Sequence, residues 1–208
     1  MQPIFLLADS SLLFSNAAPG RALREKLRSA VTDDDPSAAF LGEPEAAELF
    51  DAAMDALAIP KRRAIGPRYS AMDAMCLRSA DLIVLGGGDI VRGWERIGST
   101  DVRDAITRRY LEGAALVGVS AGAILLGTHG VGFEALRLVP FVIEAHAEDD
   151  DWRRLRSVVT ELGTIGIGIP FGAAAVYADG TLEPIGKPLV ELRREQSSLI
   201  ESLLVPAL

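Results

Sequence analysis

Along most of the chain, apolar runs of four to six residues alternate with longer segments in which apolar positions recur every three or four residues. The segments Ile4–Ala8, Ala38–Leu41, Arg62–Ile65 and Leu82–Leu85, closed by Gly or Asp, and Ala115–Val119, which runs into Ser120, read as strands. Between them, Arg21–Ala30, Pro44–Leu57, Ser70–Ser79 and Asp101–Glu112 carry the helical spacing. Pro44 stands at a first helical position, and Asp101 after Thr100 supplies an entry signal. Strands and helices in alternation predict a doubly wound α/β fold: a mostly parallel sheet with helices on both faces.

The texture changes after Leu162. Thr164–Ile167, Ala173–Tyr177 and Leu182–Ile185 are short strand-like pieces, and Asp179-Gly180 between the last two is a hairpin signal, so a short antiparallel C-terminal extension is expected. The acidic patch Glu148–Asp151 reads as the start of a helix ending near Leu162, where carboxylates suit the positive end of the dipole. No repeat or low-complexity linker divides the chain, which predicts one domain over residues 1–208.

Composition narrows the classes. At 49% hydrophobic and 24% charged residues, the 208-residue chain is globular and able to bury a sizeable core. A formal charge of −8, with basic residues scattered, argues against nucleic acid as a partner. The single cysteine, Cys76, excludes an intrachain disulfide and a thiolate zinc site and favours a reducing, cytoplasmic setting. No basic region precedes the first apolar run, and Asp9 stops it early, so it reads as a strand and not as a signal peptide. The stretch Ala114–Gly127 is too short and too rich in Gly to span a bilayer, and no membrane partner is expected.

Candidate chemistry concentrates in Leu116-Val117-Gly118-Val119-Ser120-Ala121-Gly122-Ala123. A buried strand runs through Gly-x-Ser-x-Gly into a small-residue helix start, the pattern of a nucleophile elbow. The bland alternative is a glycine-rich turn that merely packs tightly. A second turn, Gly86-Gly87-Gly88-Asp89, follows the preceding strand. In a parallel sheet the two turns meet at one carboxyl edge, so the amides of Gly88 and Ala121 can share an oxyanion. A phosphate-binding loop is the alternative there; the adjacent glycines do not spell a dinucleotide fingerprint. Serine needs a base, and the chain has two histidines. His129 lies nine residues past Ser120 beyond a helical segment, roughly 10 Å or more away at about 1.5 Å per residue. His146 follows the apolar run Leu138–Ile143, read as a strand whose end reaches the same edge, and is the better candidate.

Three motifs in order, Gly86-Gly87-Gly88-Asp89, Gly118-Val119-Ser120-Ala121-Gly122-Ala123, and Leu138-Val139-Pro140-Phe141-Val142-Ile143-Glu144-Ala145-His146, resemble those of the dipeptidase E and cyanophycinase family of serine peptidases. The similarity extends from Ile4 to about Ile185 and includes Gly166-Ile167-Gly168. It implies a glutamine amidotransferase-like fold, Ser120 as nucleophile, His146 as base, and Gly88 with Ala121 as oxyanion donors. The family's third, acidic member comes from one of two places, and this chain departs at both. The connection after the elbow helix is reduced to Gly127–Phe133, and Ile169-Pro170 follows the Gly-Ile-Gly strand where a glutamate is expected. The remaining acids are Glu134, Glu144 and Glu148. Glu144, two residues before His146 on one extended segment, is the expected third member.

By analogy with family members that accept an N-terminal aspartate, Arg92, or Arg153 with Arg154, would hold a substrate carboxylate. The expectation is a serine-type peptidase or related amide hydrolase acting on small peptides without cofactor or metal. A homodimer is compatible with it. The alternative is a binding or regulatory paralogue that keeps the elbow and has lost efficient catalysis. A glutamine amidotransferase module would need a cysteine nucleophile, and Cys76 falls in a helix before the Gly86 loop.

Overall fold

The computed structural model describes residues 2–66, 68–196 and 198–207. Eleven strands are described: β1 (Ile4–Leu7), β2 (Ser37–Leu41), β3 (Lys61–Ala64), β4 (Leu82–Leu85), β5 (Ala115–Val119), β6 (Val142–Ala145), β7 (Ile165–Ile169), β8 (Ala174–Ala178), β9 (Thr181–Ile185), β10 (Leu189–Glu195) and β11 (Ser198–Leu204). The helices are α1 (Ser11–Phe14), α2 (Ala18–Ala30), α3 (Ala47–Ala56), α4 (Ala71–Ser79), α5 (Ile90–Ile97), α6 (Thr100–Leu111), α7 (Ala121–Leu126) and α8 (Arg153–Leu162). Single 3₁₀ turns precede α3 at Pro44–Ala46 and α8 at Glu148–Asp150.

The main sheet has seven strands in the order β3-β2-β4-β5-β1-β8-β9. Its first five are parallel, and β8 and β9 extend it antiparallel through the Asp179-Gly180 turn. Both turn residues have positive φ (50° and 79°), which matches the right-handed twist of the strands they join. Alternation sorts the strand residues onto two buried faces. Phe5, Leu7, Phe40, Leu82, Val84 and Val117 meet Leu12, Leu13, Leu23, Leu27, Phe50 and Met54 of α1–α3. Ile4, Leu6, Leu41, Ile83, Leu85 and Leu116 meet Leu77, Ile97, Ile106 and Ala123 of α4–α7. Central parallel strands buried on both faces explain why their sequences are continuous apolar runs.

A second, four-stranded sheet, in the order β11-β10-β7-β6, stands apart from the first. Only β6 and β7 are parallel in it. Here the structure departs from expectation. Leu138–Phe141 is not strand; pairing begins at Val142, two residues after Pro140, which has no amide proton to give to a ladder. The strand joins β7 and not the main sheet. In β7, Ile167 and Ile169 enter the core shared with the main sheet. Gly166 and Gly168 leave room on the other side, where a Cβ would lie 2.9 Å from Leu155 Cδ1 and 2.8 Å from Trp152 Cε3. The alternating Gly-Ile pattern is therefore a packing requirement of α8. The acidic patch also differs: Asp151 and Trp152 take left-handed φ values (57° and 55°), so the 3₁₀ turn is broken from α8 instead of opening it.

Helix α4 begins with a complete capping box. The Ser70 hydroxyl accepts from the Asp73 amide (3.2 Å), and the Asp73 carboxylate accepts from the Ser70 amide (3.0 Å) and hydroxyl (2.7 Å). Arg63 of β3 adds an ion pair to Asp73 at 2.7 Å. The Ser70 hydroxyl, more than any other partner, holds the Asp73 carboxyl below its ordinary value despite burial. A carboxyl depressed in the folded state contributes stability above its unfolded pKa of about 3.9 and loses it as pH falls through the lower folded value. Ser70→Ala should therefore cost about 1 kcal/mol at pH 7 in urea unfolding, and the difference from wild type should shrink as pH is lowered from 7 to 3.

Candidate active site

The carboxyl ends of β4, β5 and β1 lie side by side, and the turns leaving them converge. The Ser120 amide donates to the Leu7 carbonyl (2.9 Å), and the Gly86 amide to the Leu41 carbonyl (2.8 Å), so each turn is tied to its neighbouring strand. Ser120 sits at φ 52°, ψ −115°, a costly conformation for a residue with a Cβ. Its neighbours are glycines for steric reasons. A Cβ on Gly118 would lie 2.6 Å from Ala123 Cα, and one on Gly122 would overlap the Leu85 carbonyl oxygen. Close approach of α7 to β4 thus puts Ser120 beside the Gly86–Gly88 loop, where a Cβ on Gly87 would be 3.3 Å from Ser120 Cβ. Gly88 has φ 127°, a region that favours glycine, and lies against the side chain of Glu43.

His146 reaches this edge from the second sheet. Its amide donates to the Ile169 carbonyl (2.8 Å), and its own φ is 44°, so the chain turns left-handed as soon as β6 ends. Across the gap between the sheets, Ser120 Oγ and His146 Nε2 are 2.8 Å apart. His129, by contrast, is bridged to Glu134 in the connection after α7, and its buried Nδ1 has no hydrogen-bond partner among the described residues.

Glu144 does not join this pair. It shares the face of Val142, which clusters with Trp152 and with Leu155 and Val159 of α8. There its carboxylate, 8% exposed, is bound by the Arg154 guanidinium, which also donates to the carbonyls of Ile143 (2.9 Å) and Gly130 (3.2 Å). Two residues apart on a strand implies a shared face only while the strand continues, and the left-handed turn at His146 ends it. Of the other acids, Glu134 is exposed and pairs with Arg137 (3.5 Å), while Glu148 accepts from the Phe171 amide (2.8 Å). Among the described residues, the only hydrogen bond of the His146 ring is the one to Ser120.

Arg92 is exposed on the first turn of α5, its amide capped by Asp89 (2.9 Å). Arg153 is exposed, and the Arg154 guanidinium is committed to Glu144. Cys76 is half-buried in α4, and burial raises its thiol pKa, the opposite of what a nucleophilic thiolate needs. Among the described residues, no cluster of three His, Cys, Asp or Glu is placed to hold a metal ion, and no helix is long and apolar enough to cross a membrane. Glu43 beside Gly88, and Asp9, which accepts from the Gly172 amide near the His146 turn, carry no sequence signal that joins them to this edge.

Residues 63–185, more than half of the chain, match the sequence profile of Peptidase family S51. The chain belongs to this peptidase family. The matched span contains Gly86–Asp89, Ser120 and His146. Two solved structures share the fold. A peptidase from an acI-B1 Actinobacterium aligns over 99% of this chain and 95% of its own, with a TM-score of 0.72 at 19% identity. A Listeria monocytogenes EGD-e protein named for peptidase E aligns over 94% and 100%, with a TM-score of 0.58 at 16% identity. Among curated protein sequences none matches this S51 chain.

The Glu144–Arg154 pair makes a structural role for Glu144 testable. Removing one partner of a largely buried ion pair leaves the other charge unpaired, so Glu144→Gln should lower unfolding free energy by about 3 kcal/mol. The reactivity of Ser120 toward a fluorophosphonate should change less than about tenfold, against the roughly 10⁴-fold cost of losing a triad acid.

Proposed function

We propose that this S51 member is a serine-type amide hydrolase of small peptides working through a Ser120–His146 dyad. The observation that carries the reading is the 2.8 Å approach of Ser120 Oγ to His146 Nε2 at a strained elbow. His146 takes the hydroxyl proton as Ser120 attacks the peptide carbonyl, then gives it to the leaving amine. Water, activated by the same imidazole, releases the acyl group and restores the serine. The amides of Gly88 and Ala121 face the developing oxyanion in this scheme. Support for them is positional: a Cβ on Gly87 would lie 3.3 Å from Ser120 Cβ, and Ala121 opens α7 immediately after Ser120.

One observation favours a second reading, a binding paralogue with weak catalysis. No described carboxylate hydrogen-bonds the His146 ring, so nothing of that kind fixes its tautomer. Labelling with a fluorophosphonate separates the two. Covalent modification of wild type, abolished in Ser120→Ala and slowed about 10²–10⁴-fold in His146→Ala, is the expected result for a working dyad. Ser120→Ala should keep its unfolding free energy within about 1 kcal/mol of wild type, since only a hydroxyl is lost. Wild-type protein that resists labelling would establish the paralogue reading instead.

A further inference from the structure

The face of the main sheet opposite His146 holds a cavity of about 200 Å³ beneath α3. Phe40, Phe50, Met54 and Val117 are among its walls, and Gly87 and Val119 lie at the end nearest the elbow. We propose that this cavity is the acyl-side specificity pocket of the Ser120 site and accepts an aliphatic or aromatic side chain on the residue whose carbonyl is attacked. The proposal rests on Ser120 as the nucleophile.

Position supports it first. Val119 immediately precedes Ser120, and a Cβ on Gly87 would lie 3.3 Å from Ser120 Cβ, so two residues of the cavity wall also border Ser120. The sheet then assigns the side. Ile143 and Ala145 bring His146 in over the face that carries Leu85 and Leu116, whereas Val84 and Val117 line the cavity from the other. The leaving amine must be next to the imidazole that protonates it. The acyl portion therefore lies toward the opposite face, which holds the cavity.

Size and chemistry select the occupant. An aliphatic and aromatic cavity of about 150 Å³ suffices for a benzene ring, so the space here accommodates a side chain as large as that of phenylalanine. Ser10 supplies the one polar side chain in the lining. A carboxylate would enter without a partner, at a heavy desolvation cost. An apolar void this large otherwise only weakens a core.

Three α-aminoalkyl diphenyl phosphonates that differ only in a benzyl, methyl or carboxymethyl side chain test the proposal through their second-order rates of Ser120 modification, read by intact mass. The benzyl compound should react about 10–200-fold faster than the methyl one, with carboxymethyl slowest. Ala53→Phe, which fills the cavity from α3, should bring the benzyl-to-methyl ratio close to one. Leu49→Asp, at a half-exposed wall position, should lower the same ratio if Ala53→Phe does not fold. Modification by the methyl compound with no benzyl preference, or a preference kept in the folded variants, overturns the pocket and leaves the dyad standing. Failure of all three compounds and of a small fluorophosphonate to modify Ser120 overturns both.

Discussion

The contact between Gly122 and the Leu85 carbonyl is the constraint on which the site's geometry depends. Because no side chain fits there, α7 descends directly onto the end of β4, and the residue between β5 and α7 is forced into a left-handed turn. That turn lifts Ser120 out of the sheet plane at the one edge where the glycine loop after β4 also emerges. The strain is held by surrounding order: the Ser120 amide is tied to β1, its carbonyl accepts from Ala123 and Ile124, and all six residues of α7 are buried. The serine's position follows from backbone packing more than from any bond to its own side chain.

His146 meets this fixed point from an independent direction. It is carried by a second sheet whose register with β7 sets where β6 ends, and its own positive φ turns the imidazole away from the α8 side. The Arg154–Glu144 pair anchors that sheet to α8, and the glycines of β7 let α8 pack closely. Glu144 therefore belongs to the support of the site. Its apparent pairing with His146 in sequence reflects a strand that stops one residue too soon for the two to share a face.

Two kinds of surface surround Ser120. On the imidazole side are polar turns stitched by Asp9 and Glu148 to the amides of Gly172 and Phe171. On the other side lies the apolar space under α3. Both are consequences of a sheet whose faces are covered by different sets of helices.

The four inner parallel strands, the elbow and the Asp179-Gly180 hairpin were legible in the sequence because each is a local rule: a buried run, a steric need for glycine, a turn with positive φ; β3 is instead a largely exposed edge strand carrying Lys61, Arg62 and Arg63. The motif order also brought Ser120 and His146 forward as candidates. The sequence did not reveal the second sheet, since β10 and β11 mix charged and apolar residues, and which strand β6 joins depends on partners far along the chain. Nor could it show which way Glu144 points, because one backbone angle at His146 cancels the strand's alternation. The cavity was equally hidden: Phe40, Phe50 and Val117 each read as ordinary core. The space between them arises only where α3 crosses the sheet, and local pattern carries no information about how far apart two packed elements come to rest.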